Sequence, residues 1–450
     1  MKGLLKTTVC ALLILNACTT GDGWENLFNG KDLTGFNLLN GKAPFRFEDG
    51  VLIGTSVMNQ PNSFLATEVD YGDFILEFDA WCDPSLNSGV QFRSESRPDY
   101  QNGRVHGYQC EMDPSDRAWS GGIYDEGRRG WLVTLQGHGL GQAAYKKDDW
   151  NHYRIEAFGD TIRIWLNGVN TAHLLDNMTL KGFIAFQVHS IGRNQAQEGK
   201  EIKWKNIRIL TKDIRKRLME GTLIPEVNRL PNRLSSYEIA LGWKLLFNGR
   251  TSAGWRGAQK EAFPERGWKA GNGELSNVAS GGGDIVTMEQ FSAFELSVEF
   301  KFAQGANSGI KYFVTEAPKQ QGAFGLEYQI IDDVNHPAAR NPATFDPRQR
   351  CAALYDLIRP QNVRLNGPGI WNLAVIKVFP NNHVEHWLNG FKTVEYERGS
   401  EAFRELVKNS KFAGKEYNVL GRFGEAPQGH ILLQDHGDAV SFRSIKIKAL

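Results

Sequence analysis

The chain is poor in cysteine and almost without net charge. Of five cysteines in 450 residues, two fall in the first eighteen, leaving Cys82, Cys110 and Cys351. Three scattered cysteines make neither a disulfide framework nor a zinc pattern, so the fold has to stand on its apolar core. Lys plus Arg number 52 against 51 Asp plus Glu. That balance gives no electrostatic case for a nucleic-acid partner or an anionic surface. No phosphate-cradling glycine loop, no H-E-x-x-H and no G-x-S-x-G is present, which removes the common nucleotide, zinc-hydrolase and serine-hydrolase readings. Low-complexity tracts are also missing.

The one long apolar run is terminal. "MKGLLKTTVCALLILNAC" places Lys2 and Lys6 before an apolar stretch that ends at Leu15, with Cys18 three residues on. The run is too short for a permanent bilayer helix and has the layout of a secretory leader. "LNAC" resembles the lipobox of bacterial lipoproteins, which implies cleavage before Cys18 and lipidation there. The expectation is an exported protein whose only membrane attachment is that lipid anchor.

Glycine (48) and aromatic residues (11%, with Trp 12) are plentiful. The mixture suits a β-rich chain with many tight turns, and most of the aromatics belong in a core.

Most of the sequence is written twice. "WENLFNGKDLTGF" (Trp24 to Phe36) returns as "WKLLFNGRTSAGW" (Trp243 to Trp255), and "DFILEFDAWCDPSLNSGVQF" as "AFELSVEFKFAQGANSGIKY". "WNHYRIEAFGDTIRIWLNG" returns as "WNLAVIKVFPNNHVEHWLNG", and "GFIAFQVHS" as "GHILLQDHG". So long a period means a duplicated domain. Period-two alternation in "FILEFDAW" and "FELSVEFKF" predicts strands, and Asn167 and Asn389 before glycine predict type I′ hairpin turns. Many short strands with few helices indicate, in each copy, a two-sheet sandwich or jelly roll. The predicted division is a leader at 1–18, a first domain at 19–212, a linker at 213–235 and a second domain at 236–450. Ser235 to Glu238 reads as a capping box opening a short helix that stops at Gly242, so the linker is partly helical.

"GYQCEMDPSDR" (Gly107 to Arg117) spaces Glu111, Asp113 and Asp116 as E-x-D-x-x-D, close to a β-glucanase signature. Its counterpart "GLEYQIIDDVN" does not keep that spacing. On the alternating face, Gln109, Glu111 and Asp113 stand against Glu327, Gln329 and Ile331, one carboxylate and one amide in swapped order. Gln187-x-His189 and Gln434-x-His436 recur at the same point of both copies, and histidine exchanges protons near neutral pH. Arg93 and Lys311 are basic residues near the "NSG" turns, four and two residues after the glycine. Tyr124 and Tyr355 also match, and either ring can stack on a sugar or belong to the core.

Taken together, "LFNG…GW", "NSG", "GLEYQIIDD", "WN…WLNG" and "GHILLQDHG…FRSIKIK" resemble the 3-keto-disaccharide hydrolase domain family, over nearly all of both copies. The resemblance implies an all-β fold of two tandem concanavalin A-like jelly-roll sandwiches joined by the partly helical linker, with a sugar site on the concave face. It implies cleavage of 3-keto-glucosides, in which a C3 ketone acidifies the C2 hydrogen and the resulting enolate expels the C1 substituent. Such chemistry needs a base, an enolate stabiliser and an acid. The expected catalytic set is Glu327, Asp332, Asp333, His436 and Lys311, with Gln329, Gln434 and Tyr355 binding substrate. A variant site in the first copy would use Arg93, Glu111, Asp113 and His189, with Gln109, Gln187 and Tyr124. Two other readings stand beside this one: a non-catalytic lectin-like protein, and a glucanase with two carboxylates. No metal site is assigned; Asp332, Asp333 and Asp435 leave Ca²⁺ as the cation to test.

Overall fold

The computed structural model describes residues 23–220, 224–278, 281–316, 322–341, 343–419 and 421–450. The leader and Cys18 lie outside the described residues. The fold is all-β, two jelly-roll sandwiches in tandem. The first pairs a nine-stranded with a seven-stranded sheet, the second an eight-stranded with a five-stranded sheet.

Alternation builds each core. Along Phe74–Cys82 the inward set is Phe74, Leu76, Phe78, Ala80 and Cys82; along Phe294–Phe302 it is Phe294, Leu296, Val298, Phe300 and Phe302. Fully burying each large side chain contributes roughly 1.5–3 kcal/mol. Cys82, Cys110 and Cys351 are buried free thiols within these cores, and burial drives their pKa values up.

The repeated "WN…LNG" words are structural. Asn167 and Asn389 take φ of 50° and 49° and the following glycines 82° and 85°, the left-handed pair a type I′ turn requires. Each asparagine then ties its hairpin to the preceding strand. Asn167 accepts from the His152 N–H (2.9 Å) and donates to Asn151; Asn389 accepts from the Leu373 N–H (2.8 Å) and donates to Asn372.

The linker is sewn to both copies. Val227–Asn228 adds a parallel strand to Val169–Leu175. Ser235 and Glu238 form the capping box of the helix Ser236–Ala240. Glu238 pairs with Lys446, and Asn232 accepts from the Ser444 N–H at 2.8 Å. The copies also touch directly: Trp119 packs on Phe391 with ring centroids 5.6 Å apart, and Asn366 donates to the Arg129 carbonyl at 3.2 Å. No helix among the described residues is long and apolar enough to cross a membrane.

Candidate active site

In the second sandwich the strands Asn307–Thr315 and Phe324–Ile331 pair antiparallel, with Gly309 opposite Gln329 and Lys311 opposite Glu327. Directly opposed residues project to the same face. Glu327 lies across Gly309, where a Cβ would sit 2.6 Å from its Oε1. That close approach is why the "NSG" word ends in glycine.

Lys311, Glu327, Gln329, Tyr355, Gln434 and His436 line one cavity of about 140 Å³. Glu327 is buried; burial raises its pKa, and Lys311 and then Lys411 partly offset this. Lys311 Nζ lies 3.6 Å from Asp284. Tyr355 donates its backbone N–H to the Glu327 carbonyl at 3.0 Å, and burial, followed by Glu327, pushes its hydroxyl up to about 12. Gln329 donates to Asn307 at 3.2 Å. The Oε1 atoms of Gln329 and Gln434 are buried and receive no hydrogen bond from the described residues. Buried acceptors of this kind are costly unless something donates to them. His436 is exposed at the rim.

The far wall comes from residues 398–429, where the first copy passes directly through 176–182. This excursion places Lys411, Phe412, Tyr417 and Phe423 on the cavity. Phe412 and Phe423 stack at 4.1 Å, with Tyr417 edge-on to both. These four residues were missed from sequence. The available signal was a length mismatch: Gly168 matches Gly390, but Gly182 matches Gly429.

Asp332 and Asp333 correct the expectation drawn for them, since neither lines the cavity. Asp332 accepts from the N–H groups of Gly305, Val334 and Asn335 and from the Asn335 amide, which caps the turn after the strand. Burial would raise its pKa, but these donors outweigh it and lower the value. Asp333 accepts from the Cys351 N–H at 3.0 Å, and burial raises it to about 6. Asp435 likewise accepts from Asn277, Gly283 and Gly437. The three aspartates do not converge as cation ligands among the described residues.

The first sandwich keeps the strands and loses the lysine–glutamate pair. Ser88–Glu95 pairs with His106–Met112 so that Gly89 faces Glu111 and Gln91 faces Gln109. Gln91 therefore occupies the Lys311 position and Gln109 the Glu327 position. The two amides bond at 2.6 Å. Arg93 is a correction. It falls where the second copy has Phe313, both at left-handed backbone (φ 45° and 52°). Its guanidinium is fully buried away from Gln91, donating to the carbonyls of Gly72 and Gly159 and to Asp73.

Glu111 accepts from Asn87 (2.8 Å) and Gln109 (2.9 Å); burial raises it to about 7 despite these donors. Asp113 is buried and held by Arg117 at 2.8 Å. Gln187 is fully buried, while His189 is exposed and its ring nitrogen contacts the Ser190 carbonyl. Tyr124 stands opposite Gln109 and packs edge-on to Trp131, within a cluster of Trp119 and Arg117 that reaches Phe391 of the second sandwich. Gln91, Gln109, Glu111 and Asp113 are each at most 4% exposed.

The family of 3-keto-alpha-glucoside-1,2-lyase-like domains matches residues 23–210 and again 242–448. The chain belongs to this family, twice over. A 3-keto-disaccharide hydrolase from Bacteroides thetaiotaomicron is 33% identical over 234 residues, 46% of this chain and 79% of that protein. Among solved structures, a protein from Parabacteroides distasonis named "putative glycosyl hydrolase" is 31% identical, with a TM-score of 0.44, covering 49% of this chain and all of its own. The carbohydrate-binding module CBM66 from Bacillus subtilis is 17% identical, with a TM-score of 0.29, over 39% of this chain and 95% of its own.

Proposed function

We propose that the chain cleaves 3-keto-glucosides or 3-keto-disaccharides, and that the second sandwich carries the chemistry. The observation that carries this reading is the Lys311–Glu327 cross-strand pair inside a cavity, replaced in the first copy by Gln91 and Gln109. The family relationship and the named hydrolase relative support a glycoside as substrate class. At about 140 Å³ the cavity is small beside the roughly 300–1,000 Å³ of drug-sized sites, so it seats one sugar ring and leaves the second at the mouth. Sugar hydroxyls donate to Gln329 Oε1 and Gln434 Oε1, and the C–H face of the ring rests on Phe412 and Phe423.

Glu327 takes the C2 proton, burial having raised its pKa and so its basicity. The C2–H electron pair forms the C2–C3 double bond and the ketone pair moves to oxygen, where a lysine ammonium of the cavity meets it. Collapse of this enolate restores the ketone, forms a C1–C2 double bond and breaks the C1–O bond. His436 or Tyr355 protonates the departing oxygen; water then adds its oxygen to C1 while C2 takes up a proton, which closes the C1–C2 double bond and gives the saturated 3-keto sugar. A two-carboxylate displacement finds no support here, because Glu327 is the one carboxylate among the described residues lining the cavity. The test is to incubate the protein with 3-keto-trehalose: turnover abolished by Glu327→Gln and retained in Gln109→Ala supports the reading, while binding without turnover favours a lectin.

We also propose export and anchoring through a lipid on Cys18, on the strength of the "LNAC" word behind an apolar run.

A further inference from the structure

Two lysines line the cavity, and they differ in what already holds them. Lys311 has Asp284 at 3.6 Å and Glu327 directly opposite. Lys411 has no carboxylate in ion-pair range among the described residues. Its ammonium stands 4.2 Å over the Tyr355 ring and 5.1 Å from that of Phe412. Burial lowers its pKa, and Glu327 and Asp356 oppose that shift. It is the cation of the site with the least prior commitment.

Its position is built, although the residue as a whole is exposed. The helix Glu401–Lys408 starts at Ser400, which accepts from the Phe403 N–H at 3.1 Å. Ser410 opens the next turn by accepting from the Phe412 N–H at 3.1 Å. The Lys411 N–H donates to Asp356 at 3.0 Å, and buried Phe412 stacks on Phe423. The backbone of Lys411 is therefore clamped on both sides, and its side chain reaches Tyr355, whose own N–H bonds the Glu327 carbonyl. The excursion that carries all this is missing from the first copy, which also lacks the charged pair.

We propose that Lys411 is the cation that meets the C3 carbonyl oxygen of the substrate and holds the negative charge of the enolate. Lys311 then acts chiefly on Glu327, keeping the carboxylate ionised and in place. This rests on the enolate reading above and names the residue that makes it work. As Glu327 removes the C2 proton, the electron pair arriving on the C3 oxygen is met by the Lys411 ammonium. When the pair returns to reform the ketone, the C1–O bond breaks and the leaving oxygen takes a proton from the site. A preorganised donor at such an oxyanion contributes about 10²–10³ in kcat.

The test follows kcat, KM and solvent-deuterium exchange at C2 with 3-keto-trehalose, using the full chain. Lys411→Met is expected to lower kcat and C2 exchange together by about 10²–10³, with KM moving far less, and Lys411→Arg to recover part of both. Lys411→Cys adds a chemical-rescue control: among the described residues the native thiols, Cys82, Cys110 and Cys351, are buried, so the new thiol is the accessible one. Alkylating the new thiol with 2-bromoethylamine rebuilds the ammonium and is expected to restore exchange. Near wild-type exchange in Lys411→Met, or no rescue of an inactive Lys411→Cys, overturns the role of Lys411 while Glu327→Gln still reports on the enolate reading. Cleavage by the wild-type protein with no C2 exchange removes both.

Discussion

Lys311 and Glu327 are direct cross-strand partners, and the same two positions in the first sandwich hold Gln91 and Gln109, bonded amide to amide at 2.6 Å. The duplicated fold thus carries its own control. Converting the second copy to the amide pair, Lys311→Gln with Glu327→Gln, is expected to keep the fold, since the first copy tolerates that pair, and to lower turnover by at least about 10³ by removing the base and its cation. Steady-state kinetics and a thermal melt of the double variant check both halves.

Gly309 and Gly89 separate catalysis from packing. A Cβ at Gly309 would meet Glu327 Oε1 at 2.6 Å, and one at Gly89 would meet Gln109 Cδ at 2.5 Å. Gly309→Ala is expected to displace the base and lower kcat by about 10²-fold, as small misplacements do. Gly89→Ala should cost about 1–3 kcal/mol through overpacking and leave kcat unchanged. Denaturant titration with activity assays on both variants distinguishes the two.

Glu111 gives a pH dependence of stability. Its folded pKa, raised to about 7 by burial against an ordinary 4.5, means that the folded state holds the proton more tightly. Its contribution is full below about pH 4.5 and is lost as pH rises through about 7. The loss is of the order of 3 kcal/mol at most. Glu111→Gln removes this titration, so the difference in Tm between wild type and variant is expected to shift in favour of the variant from pH 5 to pH 8. A scan of Tm against pH measures it.

The sandwiches were readable because alternation and Asn-Gly turns write strands and hairpins locally, and the duplication shows each word twice. The same alternation placed Glu327 and Gln329 on one face. Arg93 stands four residues after its NSG glycine and Lys311 only two, so the pair was matched by charge rather than position. The counterpart of Arg93 is Phe313, over whose ring Arg398 stands at 3.9 Å, so each copy keeps a guanidinium near this position from a different part of the chain. Asp332 and Asp333 misled because a carboxylate at a strand end caps backbone N–H groups as readily as it does chemistry. Lys411 had no repeat partner to announce it, only the unequal spacing of matched glycines.

Localisation has a simple test. Cys18→Ser is expected to move the protein from the membrane fraction to the soluble fraction and to abolish incorporation of a labelled fatty acid. Unchanged fractionation and labelling would set the anchor aside.

The most direct measurement on the central claim is the fate of hydrogen at C2. The protein is incubated with 3-keto-trehalose in deuterium oxide, with a protein-free control, and the released 3-keto-glucose is examined by mass spectrometry and NMR. The account expects one deuterium at C2 in every molecule of product, lost from the kinetics in Glu327→Gln. Product that keeps its original C2 hydrogen would contradict it and point to displacement at C1.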